Sequence, residues 1–152
     1  MKKYYLAYGS NLNLRQLKHR CPTAKAVGKT FIKDYRLVFK GKGNTGFLTI
    51  EPVEQSIVPV GVFEITDFDE HNLDWYEGYP TFYNKEYFNV ELNGQNINAL
   101  IYIMNPDFSY SLPSMDYLNT CIEGYQEFQF DKDVLSLAIE TSFNNLGKKL
   151  IK

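Results

Sequence analysis

The sequence predicts an α+β domain, a small mixed β-barrel or strongly curved sheet flanked by helices. Three observations lead there. Strand-like runs follow one another closely through most of the chain, so most strands are consecutive. Aromatic residues make up 16% of the sequence, with 12 Tyr, 11 Phe and one Trp, and such residues favour pleated, half-buried surfaces. The C-terminal part carries two segments with apolar residues at helical spacing. A length of 152 residues suits a single domain, 1–152, large enough to bury about 68–70% of its unfolded surface.

The elements read as follows. Residues 3–8 form a first strand, and a short helix runs over 13–20 with Leu14 and Leu17 on one side before Pro22 stops it. Strands follow at 25–33 and 34–40, then the polar turn GKGNTG at 41–46 and a strand at 47–52. In the strand over 57–66, Pro59 and Gly61 point to an edge or a bulge. A helix over 67–77 opens with Thr66 as cap and Asp67, Asp69 and Glu70 in its first turn, where the helix dipole favours acids. Gly78 ends it and Pro80 prevents continuation. Strands 85–94 and 96–104 form a hairpin across Asn93-Gly94. In the helix over 114–126, Tyr117, Leu118, Cys121, Ile122 and Tyr125 share a face. In the helix over 132–146, capped by Asp131 and ended by Gly147, Val134, Leu135, Ala138, Ile139, Phe143 and Leu146 do so.

Several function classes drop out. The net charge is −2, and the one basic stretch (Lys25, Lys29, Lys33, Arg36, Lys40, Lys42) alternates with apolar residues as the wet side of strands does. No nucleic-acid partner is implied. No run approaches 18 apolar residues, and the apolar start before Gly9 is too short for a signal peptide, so no membrane is implied. Two cysteines, Cys21 and Cys121, without a CxxC pair, suit a reduced, cytoplasmic setting. His19 and His71 lack partners at metal-ligand spacing, so no metal site is expected. GxxxxGK, GxGxxG and GxSxG are absent, and no cofactor is expected.

Two features stay unexplained by a bland reading. Glu77 closes its helix at the negative end of the dipole, the wrong end for an anion. Seven aromatics crowd it in sequence: Trp75, Tyr76, Tyr79, Phe82, Tyr83, Tyr87 and Phe88. Desolvation by such a shell raises a carboxyl's pKa and makes it a proton carrier near neutrality. The plain alternative is a glutamate facing water beside a glycine turn. The second feature is AYGSNLN at 7–13, between strand and helix. Ser10, Asn11 or Asn13 could simply cap the helix. Alternatively the backbone N–H groups of Tyr8, Gly9, Ser10, Asn11 and Leu12 form a nest for a carboxylate or oxyanion, with Gly9 allowing close approach.

YGSNL at 8–12 and LDWYEGYP at 73–80, with RCPTA at 20–24, DYRLVFKGKGNTGFLTIEP at 34–52, VPVGVFEIT at 58–66 and PSMDYLNTCIEGY at 113–125, resemble the γ-glutamylcyclotransferase-like superfamily along nearly the whole chain. The resemblance implies a mixed β-barrel with outer helices and cyclisation of a γ-glutamyl group to 5-oxoproline, releasing an amine or amino acid. It implies Glu77 as catalytic acid/base, Tyr8, Gly9, Ser10, Asn11 and Leu12 as the substrate loop, and Tyr83 and Tyr125 as further substrate-binding residues. The resemblance further implies that no metal or cofactor takes part and that the partner is a small γ-glutamyl molecule. Lys85 stands where some relatives carry Arg, which bears on substrate choice. The alternatives are a binding module for an acidic metabolite, against which Glu77 argues because anion binding favours Arg or Lys there, and an enzyme acting on a γ-glutamyl group of a larger intermediate, in which only the outer pocket would differ. The aromatics suit a homodimer face as well as a pocket rim.

Overall fold

A computed structural model describes residues 2–43 and 45–150. Its strands are β1 (Lys3–Ala7), β2 (Lys25–Lys42), β3 (Thr45–Ile65), β4 (Tyr83–Leu92), β5 (Gln95–Met104) and β6 (Ser109–Tyr110). Its helices are α1 (Leu14–Arg20), α2 (Asp67–Glu77), α3 (Met115–Glu127) and α4 (Asp133–Asn144). The strands form one mixed sheet in the order β4-β5-β1-β3-β2-β6. β1 runs antiparallel to β3 and parallel to β5, with Tyr5 opposite Phe63 on one side and Leu100 on the other. The sheet curls until β4 returns toward β2, where the Tyr35 and Phe88 rings lie 5.2 Å apart. The α+β curved-sheet expectation therefore holds.

The two strands expected at 25–33 and 34–40 are one. β2 bends at Asp34, whose φ is 65°, with a register shift between Lys33 and Tyr35. The strands expected at 47–52 and 57–66 likewise merge into β3 through Gln55, φ 69°. The bend is pinned across the pair, where Gln55 N–H donates to Asp34 Oδ1 over 2.9 Å. The sequence reading broke the strands at these positions, but hydrogen bonding resumes beyond the irregularity and the ladder continues. β3 is also interior, not an edge. Pro59 sits just beyond the last β1 partner, Gly61, so its missing N–H costs no bond to β1. Gly61 is no bulge, since a Cβ there would lie 2.7 Å from the Phe128 ring and 2.8 Å from Leu12.

The core fills the inside of the curl, with Leu6, Phe39, Leu48, Val58, Val60, Phe63 and Ile101 almost wholly buried. Two residues of the basic stretch depart from the wet-side pattern. Phe31 is exposed, while Lys40 is buried, donating to the Lys149 carbonyl over 2.7 Å beside the Tyr110 ring. α4 covers β2, with Ser142 Oγ accepting from Phe39 N–H. Asp131 accepts from Asp133 N–H at its start. Asn93 and Gly94 both take positive φ, as a two-residue hairpin turn requires. Among the described residues no helix is long and apolar enough to cross a membrane.

Candidate active site

β1 delivers the chain to Tyr8 and Gly9, and a single 3-10 turn, Ser10–Leu12, follows. Leu12 N–H donates to the Gly9 carbonyl and Asn13 N–H to the Ser10 carbonyl, each over 3.0 Å. The cap of α1 is Asn13, whose Oδ1 accepts from Gln16 N–H over 3.1 Å. Ser10 and Asn11 are thereby released from capping. Among the described residues, no acceptor meets the N–H groups of Gly9, Ser10 or Asn11. A segment that leaves three consecutive backbone donors unmet suits an anionic group.

Glu77 reaches the same place from α2. Both halves of the Thr66–Asp69 capping box form at the helix start, and Gly78 at φ 65° ends it one residue after Glu77. That full stop fixes Glu77 as the last residue of the helix. Its Oε1 lies 3.4 Å from Asn11 Nδ2. Burial pushes the Glu77 carboxyl up to about 7, against the opposing pull of the Arg20 guanidinium.

Tyr8, Gly9, Ser10, Asn11, Glu77 and Tyr83 line one narrow cleft that opens to solvent. The other two residues named from the sequence do not line it. Leu12 and Tyr125 are wholly buried behind the loop, and Tyr125 O–H donates to the Tyr8 carbonyl over 3.0 Å. The hydroxyls of Tyr8 and Tyr83 are committed to the barrel, donating to the Tyr102 and Leu48 carbonyls over 2.6 and 2.8 Å. These two rings therefore act as walls.

The shell that desolvates Glu77 differs from the sequence-neighbour aromatics. Trp75 is 85% exposed, Tyr87 faces solvent, and of the seven only Tyr83 lines the cleft. The remaining wall is Tyr5 and Leu6 of β1, Tyr102 of β5, Tyr117 of α3 and Leu48 of β3. Burial holds the phenols of Tyr5, Tyr8, Tyr83 and Tyr117 well above their usual range, so they stay neutral. Helical spacing with Cys121 and Tyr125 marked Tyr117 as inward-facing. For Tyr5 and Tyr102, strand alternation gives a face but not a neighbour across the barrel. Lys85 does not face the cleft; it donates to Glu70 and Asp74, each over 2.8 Å. Among the described residues no three His, Cys, Asp or Glu side chains gather as metal ligands would.

Comparison with known proteins bears on this arrangement. The family model described as gamma-glutamyl cyclotransferase, AIG2-like, matches residues 5–119. No curated protein matches the chain. Among solved structures, a gamma-glutamyl cyclotransferase superposes with TM-score 0.79 at 22% identity, covering 100% of this chain and 92% of its own. An uncharacterized protein from Homo sapiens gives 0.76 at 23% identity, covering 99% and 92%. A γ-glutamyl cyclotransferase specific to glutathione from yeast gives 0.62 at 10% identity, covering 95% and 99%. At these identities the likeness speaks for the fold.

Proposed function

The chain belongs to the gamma-glutamyl cyclotransferase, AIG2-like family, and on that premise we propose that it cyclises a small γ-glutamyl amine or peptide to 5-oxoproline. The observation that carries this reading is the sharing of one cleft by a carboxyl raised to about 7 and a loop with three unmet N–H donors.

The substrate's α-amine attacks its own γ-carbonyl. One C–N bond forms to close the five-membered ring, and the bond to the leaving nitrogen breaks. The amine, with a reference pKa of about 8, is mostly protonated at neutral pH. Glu77 takes one proton from it and returns that proton to the departing nitrogen, which leaves poorly without it; the second proton shed by the ring nitrogen passes through Glu77 to the released amine. A carboxyl titrating near 7 suits both halves of that exchange. The N–H groups of Gly9, Ser10 and Asn11 hold the α-carboxylate or the oxyanion growing on the γ-carbonyl. The tyrosine walls keep the glutamyl chain folded, so part of the acceleration is orientation.

The test is a panel of γ-glutamyl dipeptides, γ-glutamyl amines and glutathione, read by mass spectrometry. Glutathione enters because one structural relative is specific to it. The expected product is 5-oxoproline with the free amine. An N-acetylated γ-glutamyl compound should give none, since its nucleophile is blocked. Release of glutamate instead would mean hydrolysis, and binding of the panel without turnover would mean a non-catalytic module.

A further inference from the structure

Arg20, the last residue of α1, joins three parts of the site. Its guanidinium carbon sits 3.7 Å from the centre of the Tyr76 ring, on the helix that carries Glu77. One arm donates to Gln16 Oε1 over 2.7 Å and another to Asn11 Oδ1 over 2.7 Å. The backbone carbonyl of Arg20 accepts from Asn72 of α2 over 2.9 Å. Asn11 Nδ2 then faces Tyr5 Oη at 2.9 Å and Glu77 Oε1 at 3.4 Å.

The polarity of this chain is one-way. An arginine has five donors and no acceptor, so only the oxygen of the Asn11 amide can face it. The amide nitrogen is then obliged to point at Glu77. Resting on the cyclotransferase reading above, we propose that Arg20 is a positioning residue, which locks the Asn11 amide so that Glu77 Oε1 always meets a donor and Oε2 is left for the substrate's amine. Among the described residues Oε2 has no protein partner.

The lock also sets the state of Glu77. The titratable groups around it are Tyr5 of β1, Tyr8 of the loop, Tyr83 of β4, Tyr102 of β5 and Tyr117 of α3, which line the cleft with it, and Arg20 of α1, whose charge pulls its carboxyl down. Arg20 brings the only positive charge in that set. Both its charge and the donor it aims favour the carboxylate, against burial, and so keep a fraction of Glu77 able to accept a proton.

The experiment is an NMR titration of carbon-13-labelled glutamate carboxyls, with Glu77 assigned by its loss in Glu77→Gln. It compares wild type, Arg20→Gln, Arg20→Lys, Asn11→Leu and the Arg20→Gln/Asn11→Leu double variant. Arg20→Gln and Asn11→Leu should each raise the Glu77 midpoint. Arg20→Lys should fall between, because it keeps the charge but loses the planar fork that holds amide and ring together. The double variant should shift less than the sum of the singles, as members of one linked network do. On a confirmed substrate, Arg20→Gln should lower kcat by about tenfold or more, as losing a hydrogen bond to a charged group does, with KM nearly unchanged and the acid limb of the pH profile moved upward. An unmoved Glu77 midpoint in Arg20→Gln, or fully additive shifts, overturns the proposal. Should Arg20→Gln fail to fold, the Arg20→Lys shift decides. The titration needs no turnover, so a normal titration pattern in a protein inactive on every γ-glutamyl compound would reject the cyclotransferase reading and leave the positioning intact.

Discussion

The hydroxyl of Tyr125 donates to the backbone carbonyl of Tyr8 over 3.0 Å, joining the core face of α3 to the last residue before the glycine of the cleft loop. The same helix presses closer still at Gly124. A Cβ there would lie 2.7 Å from the backbone of Leu12 and of Asn13. The loop is thus held from behind by buried contacts that never touch the cleft.

Tyr125→Phe should therefore cost stability without changing the cleft wall. It leaves a buried carbonyl unmet, which costs about 1–3 kcal/mol. A thermal melt reads the loss, and substrate affinity should fall with it as the loop loosens. A variant that melts with wild type would mean that water replaces the hydroxyl.

Glu77→Gln keeps shape and removes proton transfer. A general acid–base group contributes about 10²–10⁴-fold to rate, and the proposed mechanism gives both steps to this one group, so kcat should drop by the upper part of that range. KM should change little, because in the proposed mechanism the loop, not Glu77, holds the glutamyl group. A folded variant that keeps more than about a tenth of kcat, well outside that range, would place the base elsewhere.

The same carboxyl links stability to pH. Folding raises it from 4.5 to about 7, so the folded state binds the proton more tightly than the unfolded state. That contribution is fully present below about 4.5 and is lost as pH rises through about 7. Glu77→Gln has no such loss and should be the more stable protein at pH 8, by up to on the order of 3 kcal/mol. The two should converge at pH 4. Denaturant melts at both values check it; a constant gap would mean Glu77 titrates normally. On a confirmed substrate, the wild-type kcat/KM should climb through the same interval and the variant's should not.

Gly9→Val should abolish substrate binding. The φ at Gly9 is −126°, so a left-handed backbone is not the reason. Space is: a Cβ would stand 3.3 Å from Tyr117 Oη and 3.5 Å from Leu48, and valine's further methyls would fill the cleft beside the free N–H groups. Titration calorimetry with a confirmed substrate reads it, and normal binding would reduce the loop to a turn.

Chemical punctuation made the site's two ends legible. Thr66, Asp69 and Gly78 bound α2 and so place Glu77 at its last position, and the glycine turn after β1 is as local a signal. Asn93-Gly94 marked its hairpin in the same way. What stayed hidden was long-range. Asp34 and Gln55 interrupt the strand pattern in the sequence, yet they bond across one continuous ladder, and β6 is too short for any period to register. The shell around Glu77 is built by strands far apart in the chain, so its sequence neighbours were a poor guide: Trp75, two residues away, points to solvent, while Tyr5 and Tyr102 close over the carboxyl.

The parallel pairing of β1 with β5, Tyr5 beside Leu100, has a consequence in time. It joins the start of the chain to its last long strand, and α3 must then arrive to bring Tyr117 to the cleft. Contacts so distant along the chain form slowly, because a long loop must close before they return any stability. Because its lining runs from Tyr5 to Tyr117, the cleft is complete only when β1, β5 and α3 have all assembled. Recovery of ligand binding after dilution from denaturant must follow the slowest structural phase, and a nascent chain gains the site only after α3 is made.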